Sequence, residues 1–360
     1  MRILFLTSDL EVTNGWGRYS AGFLAQARKR FGEANVDAPE PRGLASAADG
    51  KLKLPLTILD ALRLRRTAMK ADVIHAATER VVPLARLLSF WTGKPFVISA
   101  HGTYADAAAY PWYLKPMYRA SFRSAAVVAA VSRYTARVVT RSFAPRRVEI
   151  VPGGFDAPAV PAVERRLSSE RRILSVGACK PRKGFHALIE ALGLLKKEGF
   201  ACRADIVGPK EPSKYVERLE ARLKGLGLDA QVSLRGRVPE EALARFYEEA
   251  DLFVLPSEHD GAAFEGLGLV YLEAMSYGLP VIGCLESGAE DVIQDGVNGR
   301  LVPPGDPGKL AAAIRSILGD QDAWKRMSDI APGSVARFRW ERVGAEMEEV
   351  YKKAIAAYAR

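Results

Sequence analysis

Cysteine is nearly absent from this chain: three residues, Cys179, Cys202 and Cys284, among 360. So small, odd and widely spaced a set excludes a disulfide framework and carries no zinc-binding spacing. It fits buried thiols in a reducing compartment. Long hydrophobic runs are missing too; the longest, such as Ala125–Val131, fall far short of a membrane span. The opening residues Met1–Asp9 have too short an apolar core for a secretory signal and reach an acid quickly, so they read as a first buried strand. No complete dinucleotide fingerprint is present. In Asn14-Gly15-Trp16-Gly17-Arg18-Tyr19-Ser20, serine stands where a third glycine belongs, and no clear ribose-binding acid follows about twenty residues on, which disfavours a dehydrogenase. There is no recognised nucleic-acid-binding motif and no low-complexity segment.

What remains is an ordinary globular composition, 48% apolar, in a chain longer than one core usually fills. The net charge of +10 is unevenly spread. Residues 1–160 carry 23 Lys+Arg against 12 Asp+Glu, while residues 161–360 carry 29 against 30. The basic half calls for an anionic partner: a membrane surface, a phosphorylated molecule or a nucleic acid.

Short apolar runs alternate with helical patterns throughout. Strands are predicted at Ile3–Leu6, Val73–His75, Phe96–Ala100, Val127–Val131 and Glu149–Val151, then at Ile173–Val176, Ala204–Val207, Val232–Leu234, Leu252–Leu255, Val281–Gly283 and Leu301–Val302. Helices are predicted around Gly17–Phe31, Thr57–Lys70, Pro83–Trp91, Arg133–Ser142 and Phe338–Tyr358. Strands this apolar, each followed by a helix, predict an α/β chain with two doubly wound parallel-sheet domains. The join falls in the Pro/Ala stretch 157–163. The expected division is residues 1–158, 159–336 and a closing helical segment 337–360.

The most specific stretch is Phe264-Glu265-Gly266-Leu267-Gly268-Leu269-Val270-Tyr271-Leu272-Glu273-Ala274-Met275-Ser276-Tyr277. Two carboxylates stand eight positions apart, with a glycine turn between them where a helix begins. A helix start offers unpaired N–H groups and partial positive charge to an anion. Gly266 and Gly268 let backbone approach a ligand closely. A sugar nucleotide asks for these features together. The stretch resembles the E-x7-E element of retaining family 4 glycosyltransferases of the GT-B fold, departing from its usual form at Leu267.

Other loops carry the same resemblance. Asn14-Gly15 is similar to the glycine-rich turn after the first strand, whose second glycine, Gly15 here, approaches the donor phosphate. Lys180-Pro181-Arg182-Lys183-Gly184 clusters three cations after a strand, where a departing diphosphate gains charge. Lys183-Gly184 matches the family pattern, but Ala178 stands in its arginine position, leaving Arg182 or Lys180 to supply that charge. His101, after the strand ending at Ala100, takes the place of a histidine beside the donor sugar; His75 is its nearest competitor. The turn-rich stretches 288–299 and 302–306 also fit the family without adding a catalyst.

The resemblance implies two Rossmann-like domains facing a cleft, with the terminal helix crossing back to the N-terminal domain. The second domain is expected to hold the donor, a GDP- or UDP-linked sugar, and the first the acceptor. Lys183, Arg182 and the amides of Gly268, Leu269 and Val270 are expected at the diphosphate, Glu265 and His101 at the sugar and Glu273 at the ribose. No metal or other cofactor and no nucleic acid is expected. Aromatics and cations between Tyr110 and Arg123, with Arg63, Arg65, Arg66 and Lys70, fit either an anionic membrane face or plain helix packing. A cytoplasmic enzyme, peripheral on the inner membrane face, with a lipid-linked or phosphorylated acceptor, is expected. Two rivals stay open: a nucleotide-sugar epimerase of related fold and a non-catalytic nucleotide-binding scaffold.

Overall fold

The computed structural model describes residues 1–11, 15–40, 54–156 and 165–358. Asn14 and the predicted linker 157–163, with the expected boundary at 158, lie outside them. Two compact units emerge. The first holds Met1–Asp156, Gly261–Leu267 and Arg337–Arg360; the second holds Ala157–Asp260 and Gly268–Ala336. A short piece from within the stretch expected for the second domain thus packs with the first unit.

The first unit is built on six parallel strands, β1 Ile3–Leu6, β2 Val36–Asp37, β3 Val73–Ala76, β4 Phe96–Ala100, β5 Val127–Ala130 and β6 Val148–Ile150, in the order β2-β1-β3-β4-β5-β6. β1, β3, β4 and β5 are buried at every position, as strands covered on both faces must be. Right-handed crossovers put the helix Gly15–Phe31, which leads from β1 outward to β2, on one face. Helices Leu54–Lys70, Val82–Thr92, Lys115–Ser124 and Arg133–Phe143 lead the other way and pack in a row on the opposite face. The helix Trp340–Tyr358 lies beside Gly15–Phe31 and over β3, β4 and β5. Its start is fixed by shape: a Cβ at either Gly22 or Gly154 would strike the Trp340 indole, so both must be glycine. Phe338, expected as the first helical residue, sits in the single turn Ala336–Phe338, and its carbonyl accepts from Phe155 N at 2.8 Å. β2 had no predicted counterpart, because two residues are too short to show a period.

The second unit repeats the plan with β7 Arg172–Val176, β8 Arg203–Val207, β9 Val232–Gly236, β10 Leu252–Val254, β11 Val281–Cys284 and β12 Gly299–Val302, ordered β12-β11-β10-β7-β8-β9 and all parallel. The chain enters this sheet through a fixed corner. Asp251, 2% exposed, accepts from Ser168 N, Ser168 Oγ and Arg172 N at 2.9, 2.5 and 2.7 Å, while Trp324 Nε1 donates to its carbonyl at 2.7 Å. All three cysteines are buried free thiols, and desolvation pushes the Cys202 and Cys284 thiols up to about 11 and 12. No helix among the described residues is long and apolar enough to cross a membrane.

His75 is a fully buried histidine with both nitrogens engaged. Nε2 meets Ser99 Oγ at 2.8 Å, and Nδ1 meets the Tyr351 hydroxyl, from the terminal helix, at 2.8 Å. Burial first, and the nearby His101 second, push its pKa down to about 3 from 6.5, so the ring is neutral in the fold. The depressed value means that its contribution is intact above pH 6.5 and is lost as pH falls from 6.5 toward 3, by up to about 1.4 kcal/mol per pH unit. His75→Gln, which keeps polar ends, should flatten the stability curve in that window, read from denaturant midpoints against pH. Parallel curves for the two proteins would mean that His75 is charged in the fold.

Candidate functional site

In the second sheet the strand order reverses between β7 and β10, and ligands of doubly wound sheets bind past the carboxyl ends of the strands at such a reversal. The loops leaving these two strands are locked together. Gly184, at φ 66°, would drive a Cβ into the Pro256 carbonyl, and Glu258 N donates to the Arg182 carbonyl at 2.8 Å. Lys183 is only 9% exposed, with its stem against Gly177. Arg182 is half-buried and Lys180 exposed. Among the described residues, Glu258 Oε1 is buried without a hydrogen-bond partner, and its Oε2 lies 3.4 Å from His186 Nε2.

The loop after β10 ends at Gly268, whose left-handed φ of 82° opens the helix Leu269–Ser276 with no side-chain cap from the residue at its start. Those N–H groups present partial positive charge to any anion placed there. Glu273 lies one turn on, half-exposed, and its Oε2 accepts from the Tyr247 hydroxyl at 2.8 Å. Tyr247 is itself stacked on Tyr277, ring centres 5.1 Å apart, so this carboxylate has a fixed direction. Sequence reasoning missed Tyr247, since its helix, Glu240–Glu249, meets Glu273 only in three dimensions.

In the first unit, His101 follows β4 with its own N–H on Glu79 Oε1 at 2.6 Å and its Nε2 on the Ala77 carbonyl at 2.7 Å. A carbonyl can only accept, so Nε2 carries the proton and Nδ1 is the basic nitrogen. Tyr19 stands edge-on to the ring, centroids 4.2 Å apart, with its hydroxyl 3.1 Å from Ser99 Oγ and its pKa pushed up to about 12 by burial. The chain Tyr351–His75–Ser99–Tyr19 therefore runs through the core to His101. Neither Tyr19 nor Glu79 was singled out from sequence; that Tyr19 sits in the first turns of the helix after β1 and Glu79 follows β3 were the available signals.

The segment Gly261–Leu267 docks here. A Cβ on Gly266 would strike the His101 carbonyl, so the glycine permits the approach. Thr135 Oγ1 donates to the Gly266 carbonyl at 3.4 Å, and Phe264 meets Tyr134 edge-on at 5.2 Å. Glu265, 9% exposed, and Leu267 are buried with it. Gly15 is exposed at the first turn of its helix and a Cβ there would meet nothing within 4 Å, whereas one at Gly17 would hit the Glu11 carbonyl. In the first turn of the helix after β1, packing thus requires glycine at 17.

Two family models match. Residues 158–333 match Glycosyl transferases group 1, and residues 21–157 match Glycosyltransferase Family 4. The GDP-mannose-dependent alpha-(1-6)-phosphatidylinositol monomannoside mannosyltransferase of Mycolicibacterium smegmatis is 29% identical over 310 residues, 81% of this chain and 79% of that protein. The D-inositol 3-phosphate glycosyltransferase of Thermobispora bispora is 32% identical over 225 residues, 59% of this chain and 51% of that one. The solved structure of Anabaena Alr3699/HepE in complex with UDP-glucose shares the fold, with a TM-score of 0.74 at 21% identity over 98% of this chain and 99% of that one.

Gly266→Ala should lower the denaturant midpoint by the equivalent of about 1–3 kcal/mol, the usual cost of forcing an extra carbon into a filled site. An unchanged midpoint would show that the segment does not need to lie against His101.

Proposed function

Because the chain belongs to the family 4, group 1 glycosyltransferases of the GT-B fold, and is a nucleotide-sugar-dependent enzyme, we propose that it moves mannose from GDP-mannose to a lipid-linked or phosphorylated acceptor with retention of configuration. The observation that carries the donor side is the reversal point of the second sheet. There a buried lysine and a half-buried arginine share the carboxyl ends of β7 and β10 with a helix start.

In this reading Lys183 and Arg182, with the amides of Gly268–Val270, meet the diphosphate, and Gly15 approaches it from the start of the helix after β1. Charge grows on the diphosphate as the glycosidic bond breaks, so these groups bind the transition state better than the ground state. They do so without a metal. Glu265 and His101 orient the sugar, and Glu273, braced by Tyr247, takes the ribose hydroxyls. Mannose and GDP rest on the donor named in the Mycolicibacterium relative, and retention rests on family membership.

The membrane partner is supported by one helix. Along Leu54–Lys70, the exposed residues Ile58, Leu62 and Met69 form a stripe with Arg65, and Arg63, Arg66 and Lys70 flank it. Trp112, 82% exposed, and Tyr113 lie before the helix Lys115–Ser124, separated from Leu54–Lys70 in the row by Val82–Thr92. Apolar side chains left in water beside cations suit the boundary of an anionic bilayer.

Charged hydrogen bonds are worth roughly 1.5–3 kcal/mol, so Lys183→Ala should slow mannosyl transfer by roughly 10–150-fold with the fold intact. Normal turnover would remove Lys183 from the mechanism. A thermal-shift series of GDP-mannose, UDP-glucose and UDP-galactose tests the donor, since the one bound most tightly raises the melting temperature most; a larger shift with a UDP-sugar would reverse the choice of base. For the membrane, the protein should sediment with phosphatidylglycerol vesicles and not with phosphatidylcholine ones, and Leu62→Glu with Met69→Glu should abolish this. Vesicle binding that survives the double substitution would place any contact elsewhere.

A further inference from the structure

We infer that Arg80, packed against the faces of Trp16 and Tyr104, is the acceptor-side anion site, taking the phosphate of a phosphorylated polyol. The inference rests on the glycosyl-transfer reading above. In the first sheet the chain leaves β1 toward one edge and β3 toward the other, so the loops after these strands part and leave a notch at the carboxyl ends. Trp16 comes from the helix after β1, Glu79 and Arg80 from the single turn after β3, and Tyr104 from the loop after β4. All belong to one compact unit.

The guanidinium carbon of Arg80 lies 5.1 Å from the Trp16 ring centre and 5.5 Å from that of Tyr104, and the two rings are 5.4 Å apart. The Tyr104 carbonyl is in turn tied to the Tyr110 hydroxyl at 2.8 Å, and Tyr110 stacks on Tyr118 at 3.8 Å. The rings hold the cation by their faces. Among the described residues Arg80 makes no hydrogen bond or ion pair, and its Nε is buried without a partner. A guanidinium held against two rings and engaged in no ion pair is available for a forked contact with phosphate.

A second observation points to a ligand. Glu79, 1% exposed, uses Oε1 for the His101 amide, and its Oε2 is buried with no partner among the described residues. A buried carboxylate oxygen left unmatched costs stability. Polyol hydroxyls are donors that match it, and phosphate on the same molecule matches the neighbouring arginine. Simple packing would explain two rings around an aliphatic stem; it does not explain an unmatched acid and an unmatched cation on adjacent residues at the reversal of the sheet.

The test compares wild type with Arg80→Gln on three acceptor probes: myo-inositol, myo-inositol 1-phosphate and phosphatidylinositol vesicles, with GDP-mannose as donor. Arg80→Gln should raise KM for the phosphorylated probes by roughly 10–150-fold, the worth of one or two charged hydrogen bonds. It should leave KM for the donor, donor hydrolysis and transfer to myo-inositol unchanged, and Arg80→Lys should recover part of the loss. Loss confined to inositol phosphate, or to vesicles, tells a free acceptor from a lipid headgroup. Equal losses on phosphorylated and bare probes would overturn the inference. If wild type glycosylates none of them, the acceptor reading fails, and equilibrium dialysis of labelled myo-inositol 1-phosphate decides the site by itself: weaker binding by Arg80→Gln upholds it, equal binding sinks it.

Discussion

The missing side chain at Gly266 is the constraint from which the geometry around His101 follows. A glycine there lets the segment Gly261–Leu267 lie against the His101 carbonyl, and the backbone position of Glu265 is set by that approach. The His101 amide is itself held by buried Glu79, and its ring by the Ala77 carbonyl and the edge of Tyr19. One acid, one histidine and one glycine are thus positioned by backbone contacts, which deform less readily than long side chains. Two positions on, Gly268 turns left-handed and starts a helix of the second unit. A single short peptide therefore contributes a carboxylate to one unit and a helix start to the other.

Both sheets use one solution twice. Each reverses its strand order beside the strand that begins it, and each sets at that reversal a cation held in place by its surroundings: Lys183 with its stem over Gly177, Arg80 against two rings. The difference lies in what accompanies the cation. The second sheet adds helix-start amides, suited to a diphosphate, while the first adds an unmatched buried acid, suited to hydroxyls.

Much of this was legible in the chain itself. Every predicted strand is present within two residues at each end, because strands covered on both faces leave uninterrupted apolar runs. The Glu265–Glu273 spacing, the glycines between them and Lys183-Gly184 announced the family. The partners of those residues were not legible. Tyr247 reaches Glu273 from a helix 26 positions earlier, and Glu79 holds the amide of a residue 22 positions later; neither distance leaves a local pattern. Arg80 looked like one cation among 52, and only its ring neighbours, 64 positions before and 24 after, distinguish it. Gly15, prominent by resemblance, has open space around it, and packing instead demands Gly17.

The helix Trp340–Tyr358 buries Val343, Met347, Val350 and Tyr351 over strands that the ribosome finished some two hundred residues earlier. At ordinary elongation speeds of roughly 5–20 residues per second, that face of the first sheet waits about 10–40 seconds for its cover. During that interval β3, β4 and β5 expose aliphatic surface, and the notches left at Gly22 and Gly154 have no indole to fill them. The nascent first unit consequently cannot bury this face until translation delivers the terminal helix. Its folding is gated by synthesis of the second unit, even though the two cores are separate.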